Sequence, residues 1–115
     1  MNYQIADEKL QGRNKNSRKI GNNTYLERRP DGSIVIRLHN TDILTFNPNG
    51  DTTLEAGGWH TVTTKARINE FMSTGWGLYQ KNFDWYLQNY ITGQEIDYRD
   101  GITITSEGRI IGIKS

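Results

Sequence analysis

One stretch of this chain carries the signals of a helix start, and the rest is arranged around it. It runs Gly57-Gly58-Trp59-His60-Thr61-Val62-Thr63-Thr64-Lys65-Ala66-Arg67-Ile68-Asn69-Glu70-Phe71. Before and after it the chain reads as short strands and tight turns. The paired glycines break the preceding strand, and Thr63 or Thr64 is expected to cap the helix by accepting a backbone N–H. Ala66, Arg67, Glu70 and Met72 are good helix formers, while Ile68, Phe71 and Met72 give an apolar stripe. Ser73-Thr74-Gly75 ends the run. A helix of about ten residues is marginal alone in water. Its stripe therefore has to be buried, against a sheet or a second chain, and the helix is expected to be an association element.

Strands flank it. Thr24 to Arg29 and Ser33 to His39 are joined by Pro30-Asp31-Gly32, which is turn chemistry. In the second of these, Ile34, Ile36 and Leu38 alternate with Val35, Arg37 and His39, as in a half-buried antiparallel strand. Ile43 to Phe46 and Thr52 to Ala56 complete a meander. After the helix, Trp76 to Gln80 and Phe83 to Tyr90 are expected to pair across a Lys81-Asn82 turn, with Phe83, Trp85, Leu87 and Asn89 on one face. Ile102 to Thr105 and Arg109 to Ile113 form a last hairpin, and Gln94 to Asp100 is ambiguous. The expected class is α+β and β-rich: an antiparallel meander and hairpins with one short central helix.

The length allows one domain. Residues 1–19 differ from the rest: Lys9, Arg13, Lys15, Arg18 and Lys19 stand among polar residues with no apolar repeat. They are expected to form a flexible basic arm, either a solvated tail or a reach toward a phosphate-bearing ligand or partner, ahead of a single small ligand-binding domain over 20–115. Apolar residues make up 34% of the chain, so twelve aromatics carry the core and association offers further burial. A net charge of +1 argues against a general nucleic-acid binder. The absence of cysteine excludes disulfides and thiolate metal sites. No run is long and apolar enough for a membrane span, and Met-Asn-Tyr-Gln at the start has no signal-peptide core.

Catalytic patterns are weak. Two histidines, His39 and His60, have no spacing that fixes a metal, and no metal or cofactor is expected. There is no nucleophile elbow, and the threonines around His60 suit capping better than a triad. Gly57-Gly58 before a helix leaves backbone N–H groups for an anion, with a plain turn as the simpler reading. Arginine and aromatic side chains are the stronger signal, because a guanidinium grips phosphate and an aromatic face stacks a base. Arg109 and Arg28, then Arg67 near the helix start, are the candidate phosphate ligands. Phe83 and Trp76 are the candidate stacking faces. Asn89, with Asn22 and Asn23, is a candidate reader of ribose hydroxyls or base edges.

Three blocks together carry a resemblance: Lys19-Ile20-Gly21-Asn22-Asn23-Thr24-Tyr25, Arg37-Leu38-His39-Asn40-Thr41-Asp42-Ile43-Leu44-Thr45-Phe46, and Gly57 through Asn69. The chain resembles the phage-encoded Thoeris anti-defence sponges, closely over about residues 19–71 and loosely beyond. The resemblance implies a non-enzymatic binder, in the cytoplasm of the infected bacterium, that sequesters cyclic ADP-ribose isomers and so blocks a Toll/interleukin-receptor-like immune enzyme's signal. It also implies a homodimer or higher homo-oligomer, with related cyclic nucleotides as additional ligands. Two other classes stay open: a phage inhibitor that binds a host protein or nucleic acid, and a small virion or assembly protein whose aromatics serve subunit contacts. An enzyme is the remaining and weakest class.

Overall fold

The computed structural model describes residues 1–12, 16–72 and 74–113. The elements are α1 (Tyr3–Lys9), β1 (Ser17–Gly21), β2 (Thr24–Arg28), β3 (Ile34–Leu38), β4 (Thr41–Phe46), β5 (Thr52–Leu54), α2 (Val62–Phe71), β6 (Trp76–Lys81), β7 (Asp84–Asn89), β8 (Glu95–Asp97), β9 (Ile102–Ile104) and β10 (Ile110–Ile113). Among the described residues, seven strands form one antiparallel sheet in the order β1-β2-β3-β4-β5-β9-β10. Three more form a second antiparallel sheet, β6-β7-β8. The protein is α+β and β-rich, with α2 as its short central helix.

The alternation of β3 decides which face of the large sheet is buried. Leu26, Ile36, Leu44 and Leu54 lie in register across four strands, and all are excluded from solvent. Each contributes about 1.5–3 kcal/mol of burial. They join Trp76, Leu78, Trp85, Leu87 and Tyr98 of the small-sheet segment and Ile68 of α2 in one core. On the opposite face of the large sheet, Glu27 accepts hydrogen bonds from Arg29 (2.9 Å) and Arg37 (2.9 and 3.0 Å). Arg29 also pairs with Asp42 at 2.6 Å. The Arg37 guanidinium lies 4.7 Å from the Tyr25 ring centre. The Arg37 hydrogen bond foremost, and then that of Arg29, hold the Glu27 carboxyl at about 2 despite its partial burial.

The structure departs from the sequence reading at several places. Residues 1–19 are not simply an arm. Asn2 caps α1 by accepting the Ile5 N–H, and Ala6 and Leu10 are fully buried in the core. β1 pairs with β2 from Ser17 onward, so the boundary expected at residue 19 falls inside a strand. Arg13 and Lys15 of the expected arm lie outside the described residues, as does Ser73. The cap of α2 is Thr61, whose Oγ1 accepts the Thr64 N–H at 3.1 Å. Val62 and Thr63 already have helical backbone, so Thr63 and Thr64 sit too far in to cap. The stripe of α2 is covered within the chain: Ile68 is fully buried, and Phe71 and Met72 pack against the same core. The β6–β7 turn is Asn82-Phe83, both with positive φ (51° and 70°), rather than Lys81-Asn82. That removes Phe83 from the buried face of β7 and leaves it 93% exposed. The ambiguous stretch contains β8.

Candidate functional site

The three sequence blocks meet around the N-terminal half of α2. The His39 N–H donates to the Asn23 carbonyl, joining the β3–β4 turn to the β1–β2 turn. Gly57 sits against Thr41: a Cβ there would lie 2.9 Å from the Thr41 Cγ2, and the residue has φ +62°, so only glycine fits. A Cβ on Gly21 would come 3.9 Å from the Arg67 Cζ, which places the β1–β2 turn beside α2.

Where these segments converge there is a cleft of about 430 Å³. Leu38, Ile43 and Ala56 give it an apolar floor, while His39, Asn40 and Thr41 come from the turn and Trp59, Thr61, Thr63 and Thr64 from the start of α2. The volume lies within the range of small-molecule sites. Trp59 is 67% exposed, an open indole face at the rim. Arg67 lies one turn further along α2 from Thr63 and Thr64, spaced to share their side of the helix. Its Nη1 bonds Glu70 at 2.9 Å, but its Nε–H is buried and has no acceptor. A buried donor on a cation calls for an anionic or carbonyl oxygen.

The loop carrying Trp59 is held from behind by one carboxylate. Asp100 accepts the Ala56 N–H at 2.9 Å, the Gly58 N–H at 3.3 Å and the Tyr98 hydroxyl at 2.5 Å. Burial pushes the Asp100 carboxyl up, and the hydrogen bonds from Tyr98, Ala56 and Gly58 outweigh it, so the net shift is downward. Burial, and then the neighbouring Asp100 charge, raise Glu55. Burial and the Asp100 hydrogen bond push the Tyr98 hydroxyl well above its usual range. The split within this pair of carboxyls follows from holding a loop.

A second cleft, of about 330 Å³, takes His60 from the same loop. His60, Phe83, Asp84, Trp85, Tyr86, Asp97, Tyr98 and Arg99 line it. The His60 ring stacks on Trp85 at 4.5 Å and 19°, and Tyr98 meets both. Trp85 is 4% exposed, and its Nε1–H has no acceptor.

The six residues singled out by sequence do not come together. Arg67 lies beside the β1–β2 turn, one helical turn beyond the threonines of the first cleft, and Phe83 lines the second. Trp76 pairs with Asn89 across β6 and β7, and its indole N–H donates to the Gly108 carbonyl at 2.6 Å, next to the exposed Arg109. Trp76 is buried, and the Asn89 Oδ1 accepts the Ile91 and Thr92 N–H groups, so both are taken up by the fold. Arg28 reaches Asp7 of α1 at 2.8 Å. Sequence reasoning missed Trp59 and the threonines as lining. The signal was present, since a tryptophan set between Gly57-Gly58 and a polar helix start has no apolar neighbour to bury it.

Among the described residues no helix is long and apolar enough to cross a membrane, and no group of three or more histidine or acidic side chains is placed to hold a metal ion. Neither a curated protein nor a solved structure matches the chain. A family model described as Kyanoviridae Gp96 protein matches residues 3–105, from the first residue of α1 to just past β9. By that match over most of its length, the chain belongs to the Kyanoviridae Gp96 family of phage proteins.

Proposed function

We propose that this phage protein binds a small nucleotide-like signal in the 430 Å³ cleft and holds it without chemical change, as an anti-defence sponge in the infected cell. One observation carries the reading: a cleft of small-molecule size joins an apolar floor to the open face of Trp59 at its rim, and the Arg67 guanidinium stands one helical turn beyond the Thr63 and Thr64 that line it. A base stacks on Trp59, and the partly exposed Arg67 side chain offers a cation for a phosphate. The threonine hydroxyls and the Asn40 amide offer donors and acceptors for ribose. The sequence resemblance supplies the ligand class, a cyclic ADP-ribose isomer, and the homo-oligomeric assembly. Of the six candidates named from sequence, this reading retains Arg67 as the phosphate ligand and replaces Trp76 and Phe83 with Trp59 as the stacking face.

The test is calorimetry with 1″–2′ and 1″–3′ glycocyclic ADP-ribose, followed by recovery of the ligand after heating the protein. Saturable binding and intact recovered ligand are expected. Trp59→Ala and Arg67→Ala should each weaken binding roughly ten- to a hundred-fold with the fold unchanged. No heat with either ligand at protein concentrations well above micromolar overturns the reading. The exposure of Val62 (75%) next to Trp59 then favours the second reading, an inhibitor that docks a host protein on this apolar rim.

A further inference from the structure

The second cleft has a different chemistry from the first. Its open walls are the rings of Phe83 and Tyr86, and two carboxylates, Asp84 and Asp97, line it against a single guanidinium, Arg99. An electron-rich ring face attracts a cation, and a carboxylate nearby strengthens the attraction. Phe83 is displayed there at some conformational expense. It takes φ +70° at the second position of a two-residue hairpin turn, where glycine is unstrained and a bulky side chain is not. Folding alone does not call for phenylalanine at that position, since the ring is 93% exposed. Trp85, on the other face of β7 from Asp84 and Tyr86, also lines the cleft and is more than nine-tenths buried.

We infer that this cleft is a binding site for an organic cation, an alkylammonium or guanidinium group, lodged between Phe83 and Tyr86 with Asp84 and Asp97 as its counter-charges. The site is separate from the nucleotide cleft and does not rest on it. Such a cation comes either from a free small molecule or from a lysine or arginine side chain of a partner peptide. A peptide brings its backbone and neighbouring side chains to the same cleft, so the two sources differ in affinity.

The Trp85 indole signal in ¹H–¹⁵N spectra of the full chain reports the site. The probes are n-butylammonium, n-butylguanidinium and N-acetyl-arginine methylamide, with n-butanol as the neutral control. Saturable shifts are expected with the three cations and not with butanol. Tighter binding of the capped arginine assigns the natural occupant to a peptide, and equal binding assigns it to a free small cation. Phe83→Gly, which relieves the turn and so keeps the fold, and Asp97→Asn should each weaken cation binding roughly three- to thirty-fold. Butanol binding as well as the cations do, or affinities untouched by both variants, would overturn the assignment.

Discussion

Glu27 shows how one side chain sets an acid limit on the fold. Its carboxyl titrates at about 2 in the folded protein against an ordinary 4.5, because Arg37 and Arg29 bond the charged form. A depressed carboxyl stabilises the fold in full above its unfolded value. That contribution is therefore present above pH 4.5 and is lost as pH falls toward 2. At this mostly covered site it is on the order of 2 kcal/mol after allowance for solvent screening. Urea midpoints measured from pH 6 to pH 2 should fall across that window, and Glu27→Gln should flatten this part of the profile. An equal slope in the variant would assign the acid loss elsewhere. Gly77 is a second single-residue constraint: a Cβ there would sit 1.6 Å from the Tyr90 hydroxyl oxygen, so the Tyr90 ring occupies the space a side chain would need. Tyr90 is 70% exposed and can swing aside, so Gly77→Ala should move the ring at a cost of only about 0.5 kcal/mol by urea denaturation, and Tyr90→Ala should remove that cost. Neither feature was legible in sequence. A glycine in a strand is ambiguous, and the Glu27 cluster depends on register that alternation alone does not fix.

The elements differ in how clearly the chain announced them. The strands of the meander were readable because Ile34, Ile36 and Leu38 alternate cleanly and Pro30-Asp31-Gly32 marks a turn. α1 was not, since its seven residues are too few for a period to stand out and its basic neighbours suggest solvent. Yet Tyr3, Ala6 and Leu10 have helical spacing, and Ala6 and Leu10 are fully buried. Leu10→Ala should cost about 2–5 kcal/mol, and deleting residues 1–12 should lower the melting temperature sharply. An unchanged melting curve would return this segment to the solvated arm its composition suggests. α2 has a second role that its apolar stripe did not reveal. Asn69 clasps the free edge of β6, its Nδ2 donating to the Leu78 carbonyl and its Oδ1 accepting the Leu78 N–H, both at 2.8 Å. This pair stands in for a neighbouring strand and blunts the edge. Asn69→Ala should cost about 1–3 kcal/mol in chemical denaturation and should speed amide exchange at Leu78.

For the molecule as a whole, closure is non-local. β9 inserts between β5 and β10, and Thr53 meets Thr103 through their hydroxyls at 3.0 Å across fifty positions of sequence. Truncation before Ile102 should therefore abolish cooperative unfolding rather than trim an edge, since Ile102 and Ile104 lie in the core. A residual two-state transition in circular dichroism would show that the meander stands alone. The site was only half legible for the same reason. Arg67 and Phe83 stood out in the sequence by their chemistry, but the pairing that puts Asp100 behind Ala56 and Gly58 joins segments more than forty residues apart. That joint has a further consequence. Trp59 and His60 are covalent neighbours that line different clefts, so one peptide bond joins a wall of each. A guest on one side that turns its residue alters the wall seen by a guest on the other. Thermodynamic linkage then requires the mutual effect on affinity to be the same factor in either order of addition. Titrating butylammonium into protein with and without saturating glycocyclic ADP-ribose, and then reversing the order, measures that factor directly; a value of one in both directions would mean that the wall is rigid and the two sites are independent.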